Sequence, residues 1–225
     1  MNIYVYYHIA QMGNWEEVVS DQVTELQNSG LYKEAVKIYT GVVGEQTAEL
    51  KLPSKFEIMY HCPSLEPAEI LTLEALRRHS RREDFIVLYM HTKGVSYLKQ
   101  GYSKENMTAW RKYMEYFCIG KWRECISHLD KYDAVGCEYT GPRETEEGLF
   151  PSHFRGNFWW SASLHLKKLP QVICTNIPSK VVRRKAEYWL GSNQNLVAYS
   201  MFNLVGEPGQ RGYLYSHLLD PKLYR

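Results

Sequence analysis

Phe85-Ile86-Val87-Leu88-Tyr89-Met90 is an unbroken apolar run, followed at once by His91-Thr92-Lys93-Gly94. The reading of this stretch decides the fold. A strand without polar alternation is one covered on both faces, as at the centre of a parallel sheet between helices. It then breaks into two groups that can carry positive charge and a glycine. In an open α/β sheet, ligands bind outside the carboxyl ends of the strands. His91, Thr92, Lys93 and Gly94 stand at such an end, and two cationic groups beside a glycine suit an anion such as a diphosphate. The plainer alternative is a solvated loop lysine and a structural histidine.

Working outward, residues 3–9, IYVYYHI, predict the first strand. Asn14, with Glu17 three residues on, has the form of a capping box for a helix that Gly30 ends. Residues 35–43 and 56–61 predict two further strands, and 66–82 a helix with Pro67 tolerated in its first turn. Apolar residues from Met107 to Leu129 recur at spacings of three and four and predict a helix over 104–129, with Gly120 as a possible break. Residues 133–139 predict another strand, and short helices are expected at 161–168 and 179–190. From 205 the glycines and Pro208 predict loop. The alternation of strands and helices predicts an α/β fold with a mostly parallel central sheet flanked by helices, in one domain over 1–225.

Composition narrows the classes. A net charge of +2 gives no case for nucleic-acid binding. No apolar run reaches the ~20 residues that a membrane span needs, and the N-terminus lacks the features of a signal peptide. The five cysteines are odd in number and form no CxxC pair, so a disulfide scaffold or zinc site is not expected and a cytoplasmic setting is. The motifs GxxxxGK[ST], GxGxxG after the first strand, GxSxG and HExxH are absent, so any nucleotide must be held in another way.

Several segments together carry a resemblance: YVYYHIAQMGNW near the N-terminus, VLYMHTKG, WRKYMEYF, HFRGNFWWSASLHLKKLP and RRKAEYWL, running in order from about residue 3 to 190. The chain resembles a family of glycosyltransferases of bacteria and large DNA viruses with the A-type glycosyltransferase fold. The resemblance implies a nucleotide-sugar-binding half over 1–100 and an acceptor-side half over 101–225. It implies transfer of a sugar from a nucleotide-diphosphate sugar to a hydroxyl of a glycan or glycoconjugate.

The resemblance also implies roles for residues. Tyr6 to Ala10, Tyr7 and His8 among them, would hold the nucleotide base. HTKG stands where many such enzymes carry an Asp-x-Asp pair for a divalent metal. Lys93 is therefore expected to replace some of that metal's charge, and His91 to hydrogen-bond phosphate or sugar or to ligate a transition metal. Whether Mg or Mn binds is left open. Gly156 and Asn157 would form a turn framing the sugar, with one of Trp159 and Trp160 reaching the site and the other the core. Glu187 would take the proton of the acceptor hydroxyl. Its alternative is a surface ion pair with Arg183, one turn earlier. Arg111 is expected in a salt-bridge network with Glu115 rather than on a phosphate. Other readings are a non-catalytic nucleotide-sugar or glycan-binding relative, or a nucleotidyltransferase. The chain's modest length leaves acceptor binding open to a partner protein, and the basic segment 76–84 to a weak contact with an anionic membrane surface.

Overall fold

The structure is a computed structural model that describes residues 1–45, 49–97, 101–175, 182–193, 195–204 and 213–225. Among these, the first half alternates strand and helix: β1 (Asn2–Ala10), α1 (Trp15–Asn28), a short α2 (Leu31–Glu34), β2 (Lys37–Val43), β3 (Phe56–Cys62), α3 (Ile70–Ser80) and β4 (Phe85–His91). The second half begins with α4 (Lys104–Glu115), a π-helical turn over Tyr116–Gly120 and α5 (Trp122–His128). Gly120 thus marks the break in the long periodic stretch. Then follow β5 (Ala134–Gly136), β6 (Tyr139–Thr140), β7 (Arg143–Thr145), β8 (Gly148–Phe150), β9 (His153–Phe154), β10 (Trp159–Ala162), α6 (Ser163–Leu166), α7 (Val182–Tyr188), β11 (Ala198–Ser200) and α8 (Tyr213–Ser216).

Seven strands form one mixed sheet in the order β11-β5-β10-β4-β1-β2-β3. Only β10 runs antiparallel to its neighbours, between β4 and β5. The sheet buries two cores. Tyr7, Ile9, Leu88 and Trp160 face α1, α4 and α5 on one side, while Tyr4, Tyr6, Val87 and Trp159 face α3, α6 and α7 on the other. The unbroken apolar run of β4 follows from this arrangement: alternate residues enter alternate cores.

Three expectations are corrected. Residues 161 and 162 extend a strand rather than begin a helix, because β10 pairs on both sides, Trp160 opposite Leu88 and Val135. The helix expected from residue 66 starts at Ile70, since Ala68 takes φ +44° and interrupts any earlier turn. Asn14 precedes α1 without capping it; its side-chain amide instead donates to Glu17, which also receives Lys104. The expected start of the helix at 179 and the loop over 205–212 lie outside the described residues. No helix among the described residues is long and apolar enough to cross a membrane.

Candidate functional site

The order of the sheet places the site. β1 connects through α1 to β2 on one side and is flanked by β4 on the other, so the chain reverses its direction of progress across the sheet at β1 and β4. The crevice beyond such a reversal is where open α/β sheets bind ligands. Here His8 pairs with His91 in register at the carboxyl ends of those two strands. A cavity of about 460 Å³ opens directly above them, within the size range of ligand sites.

The structure brings together most of the expected residues. His8, His91, Thr92, Lys93, Gly94, Gly156, Asn157 and Glu187 all line this cavity. His8 Nδ1 lies 2.9 Å from Thr72 Oγ1 on α3. Burial lowers the His8 pKa to about 4, outweighing the pull of Glu69 toward the charged form. His91 Nε2 donates to the Gly156 carbonyl at 2.8 Å, because a carbonyl oxygen only accepts. That bond joins the end of β4 to the turn before β10. Burial lowers the His91 pKa as well, against Glu69. Thr92 acts inward: its hydroxyl accepts the Ala10 N–H at 2.9 Å and its own N–H donates to the His8 carbonyl, locking the two strand ends.

Lys93 is, with Arg183, one of two cations on the cavity wall. Its ammonium lies 3.8 Å from the Trp110 ring centre and 5.8 Å from that of Tyr215. A ring face attracts a cation, but the rings also exclude water. Burial lowers the Lys93 pKa to about 8, with Glu187 and Glu69 opposing. Gly94 takes φ +93°, and a Cβ there would stand 3.0 Å from Met107 Cβ. The turn therefore needs glycine to pass α4 and present Lys93.

Glu69 is the functional residue that the sequence reading missed. It precedes α3, where a carboxylate is favoured by the helix dipole. Its Oε2 accepts from Tyr89 and from Asn157 Nδ2, both at 2.7 Å. Burial raises its pKa, but His91, His8 and these two hydrogen bonds more than offset that, and the net shift is downward. Glu69 is thus a fixed, ionised carboxylate on the cavity wall. Its signal in the sequence was only an acidic residue ahead of a helix, and Glu66 fitted that as well.

Three expectations change. Tyr7 points away from the cavity into the α1 core, fully buried, and donates to Gln22 at 2.6 Å. Trp159 and Trp160 are both core residues; neither lines the cavity, because β10 is a strand inside the sheet and alternation sends one ring to each core. Trp159 still acts on the site, donating to Asn157 Oδ1 at 2.8 Å and stacking on Tyr89 with ring centres 5.0 Å apart. Among the described residues no ion pair joins Glu187 to Arg183, and both residues line the cavity. Arg111 is held as expected, by Glu115 and Asp21, away from the cavity.

The donor set does not suit a divalent cation. At the strand end implied to carry metal-holding carboxylates stand an ammonium and an imidazole whose Nε2 is spent on a carbonyl. Hard cations take oxygen ligands, and of the carboxylates on the cavity wall Glu69 is already engaged by Tyr89 and Asn157. Among the described residues no group of three or more His, Cys, Asp or Glu side chains converges to hold a metal.

What the arrangement can do is bind a polar, anionic molecule. Lys93 and Arg183 can take anionic groups, Glu69 and Asn157 offer fixed hydrogen-bonding groups, and Ala10, Met12, Val43 and Leu65 give an apolar end beyond β1 and β2. No curated protein matches the chain. A family model covers residues 1–172, which include His8, Glu69, His91, Lys93 and Asn157 but not Arg183, Glu187 or Tyr215. On that match the chain belongs to the family described as a domain of unknown function, DUF8361.

Proposed function

We propose that the chain is a glycosyltransferase of the A-type fold, moving a sugar from a nucleoside-diphosphate sugar to a hydroxyl of a glycan or glycoconjugate. The observation that carries this reading is one cavity at the β1/β4 reversal that joins a cation, Lys93, to a fixed carboxylate–amide pair, Glu69–Asn157. Diphosphate and sugar hydroxyls ask for that combination. The apolar end formed by Ala10, Met12, Val43 and Leu65 suits a base.

In this reading the acceptor oxygen attacks the anomeric carbon and the new carbon–oxygen bond forms. The bond from that carbon to phosphate breaks, and its electron pair leaves with the nucleoside diphosphate. Lys93, with Arg183, neutralises the charge that develops there. The hydroxyl proton goes to Glu187, which is free of Arg183 and stands on the same wall. No step runs through a metal.

A second reading, a module that binds the donor without turnover, is favoured by the strand end itself, where Lys93 and His91 stand in place of the metal-holding carboxylates that many such enzymes carry. A thermal-shift series with UDP-, GDP-, dTDP- and CMP-sugars, each with EDTA and with Mn, tests both readings when joined to an assay for released nucleotide. A donor at 100 times its Kd adds ~2.7 kcal/mol, which is about 5–10 °C for a chain of this size. A shift in EDTA with nucleotide release supports transfer. A shift with no release for any glycan acceptor supports the binding module. No shift with any donor overturns both.

A further inference from the structure

A second concavity, a shallow groove of about 800 Å³, lies between α3 and the β2–β3 edge of the sheet. Its floor is phenolic. Tyr39 and Tyr60 are half-buried there, and Tyr6 lies buried beneath them, its ring centre 5.2 Å from that of Tyr39. Among the described residues the Tyr39 hydroxyl has no hydrogen-bond partner. Its wall shows one stripe, Leu71, Ala75 and Arg78 on α3 and Arg82 just beyond the helix end, spaced three or four apart. Arg78 touches Glu74 only at 3.4 Å, while Glu74 is already held by a two-pronged bond from Arg77. Both Arg78 and Arg82 are exposed along the rim.

A β-bulge builds this floor. The β2–β3 register slips by one residue between Thr40 and Gly41, so Met59 is the extra residue and Tyr60 turns toward α3. There Tyr60 meets Thr72 Oγ1 at 2.6 Å, and Thr72 meets His8 at 2.9 Å. A hydrogen-bonded chain of three side chains thus runs from the groove to the first cavity, and the loop after β3 gives Pro63 to the groove and Leu65 to the cavity.

From this geometry we infer that the groove is a binding site for an acidic sugar, one bearing a carboxylate or a phosphate. The half-buried rings stack on the apolar C–H face of a pyranose, the Tyr39 hydroxyl meets its hydroxyls, and the arginine forks take its acidic group in two-pronged bonds. The stacking surface is phenolic and shallow rather than an aliphatic trough, which favours a sugar ring over the apolar face of an acidic peptide helix. The site rests on its own rings and charges, and it stands whether or not the first cavity transfers sugars.

The test is isothermal titration of the full chain with trigalacturonate and with trehalose 6-phosphate, beside maltotriose and poly-glutamate. Binding of at least one acidic sugar and not of maltotriose is expected. It should weaken at least tenfold in Tyr39→Ala and in the Arg78→Ala/Arg82→Ala double variant, and survive in Tyr39→Phe, which keeps the ring. Whichever acidic sugar binds tells carboxylate from phosphate. The inference is overturned if neither acidic sugar binds or if Tyr39→Ala leaves binding intact. It is equally overturned if poly-glutamate binds with the same dependence on Tyr39, which assigns the groove to an acidic peptide.

Discussion

Asn157 donates to Glu69 across 2.7 Å of space and 88 positions of sequence. Asn157 takes φ +57°, a conformation that asparagine tolerates better than most residues, and Trp159 fixes its amide from behind. The pair turns the start of α3 and the turn before β10 into one wall of the cavity. Asn157→Ala removes both hydrogen bonds and keeps a strained backbone. It should cost about 1–3 kcal/mol of stability and also abolish ligand-induced stabilisation, whereas Glu69→Gln should abolish the latter with less loss of the former. Chemical denaturation with and without a bound ligand reads both numbers.

Trp159 and Trp160 differ in what lies behind them. Removing the indole N–H by Trp159→Phe frees Asn157, while Trp160→Phe loses only a bond to the Cys118 carbonyl on the far side of the sheet. Both variants should be destabilised, by up to a few kcal/mol. Only Trp159→Phe should weaken ligand affinity, which a titration at matched folded fraction measures. Equal loss of affinity in both contradicts the division of the two rings between the cores.

The ammonium of Lys93 should make binding of an anionic ligand pH-dependent. Its pKa of about 8 lies below the ordinary 10.5, so the cation is present below pH 8 and lost above it. Affinity should therefore fall by up to tenfold per pH unit above 8. Lys93→Met keeps the stem between the rings and should remove both the affinity and its pH slope. The free protein behaves in the opposite sense: between pH 8 and 10.5 the unfolded chain holds more protons at this site, so stability rises with pH there in the native chain and not in Lys93→Met.

Acid should loosen the fold through His8. Its folded pKa of about 4 lies below the ordinary 6.5, so the unfolded chain binds the proton first. Stability is then present above pH 6.5 and lost as the pH falls toward 4, on the order of 3 kcal/mol at most from this residue. His8→Gln should flatten that part of the stability–pH curve, as denaturant midpoints at several pH values would show. A curve unchanged by the substitution removes His8 from the account, leaving His91, His153 and His165, which burial shifts the same way.

Gly41 keeps the cavity and the groove in contact. A Cβ there would lie 2.3 Å from Thr72 Oγ1 and 2.4 Å from the Tyr60 hydroxyl, both held by hydrogen bonds to each other. Gly41→Ala should destabilise by about 1–3 kcal/mol, the usual range for overpacking, and thermal unfolding measures it.

The sequence by itself determined the α/β sheet and the position of the site along β4. Apolar runs such as Phe85–Met90 are local and periodic, and the break into His91 and Lys93 is visible wherever the strand ends. It also determined that Gly94 and Gly156 would be turns, since both take the left-handed backbone that glycine alone adopts freely. Only the tertiary structure decided the rest. Whether Ser161 and Ala162 belong to a helix or a strand depended on two partner strands more than 20 residues away, which no local pattern encodes. Whether Tyr7 or His8 faced the cavity depended on which side of β1 meets α1, a choice made by packing and not by residue type. Glu69 became part of the site because Ala68 delays the helix and because Tyr89 and Asn157 arrive from distant segments to hold it. A carboxylate is legible in a sequence as a charge, but its fixed position and lowered pKa come from partners that only the folded chain brings within 3 Å.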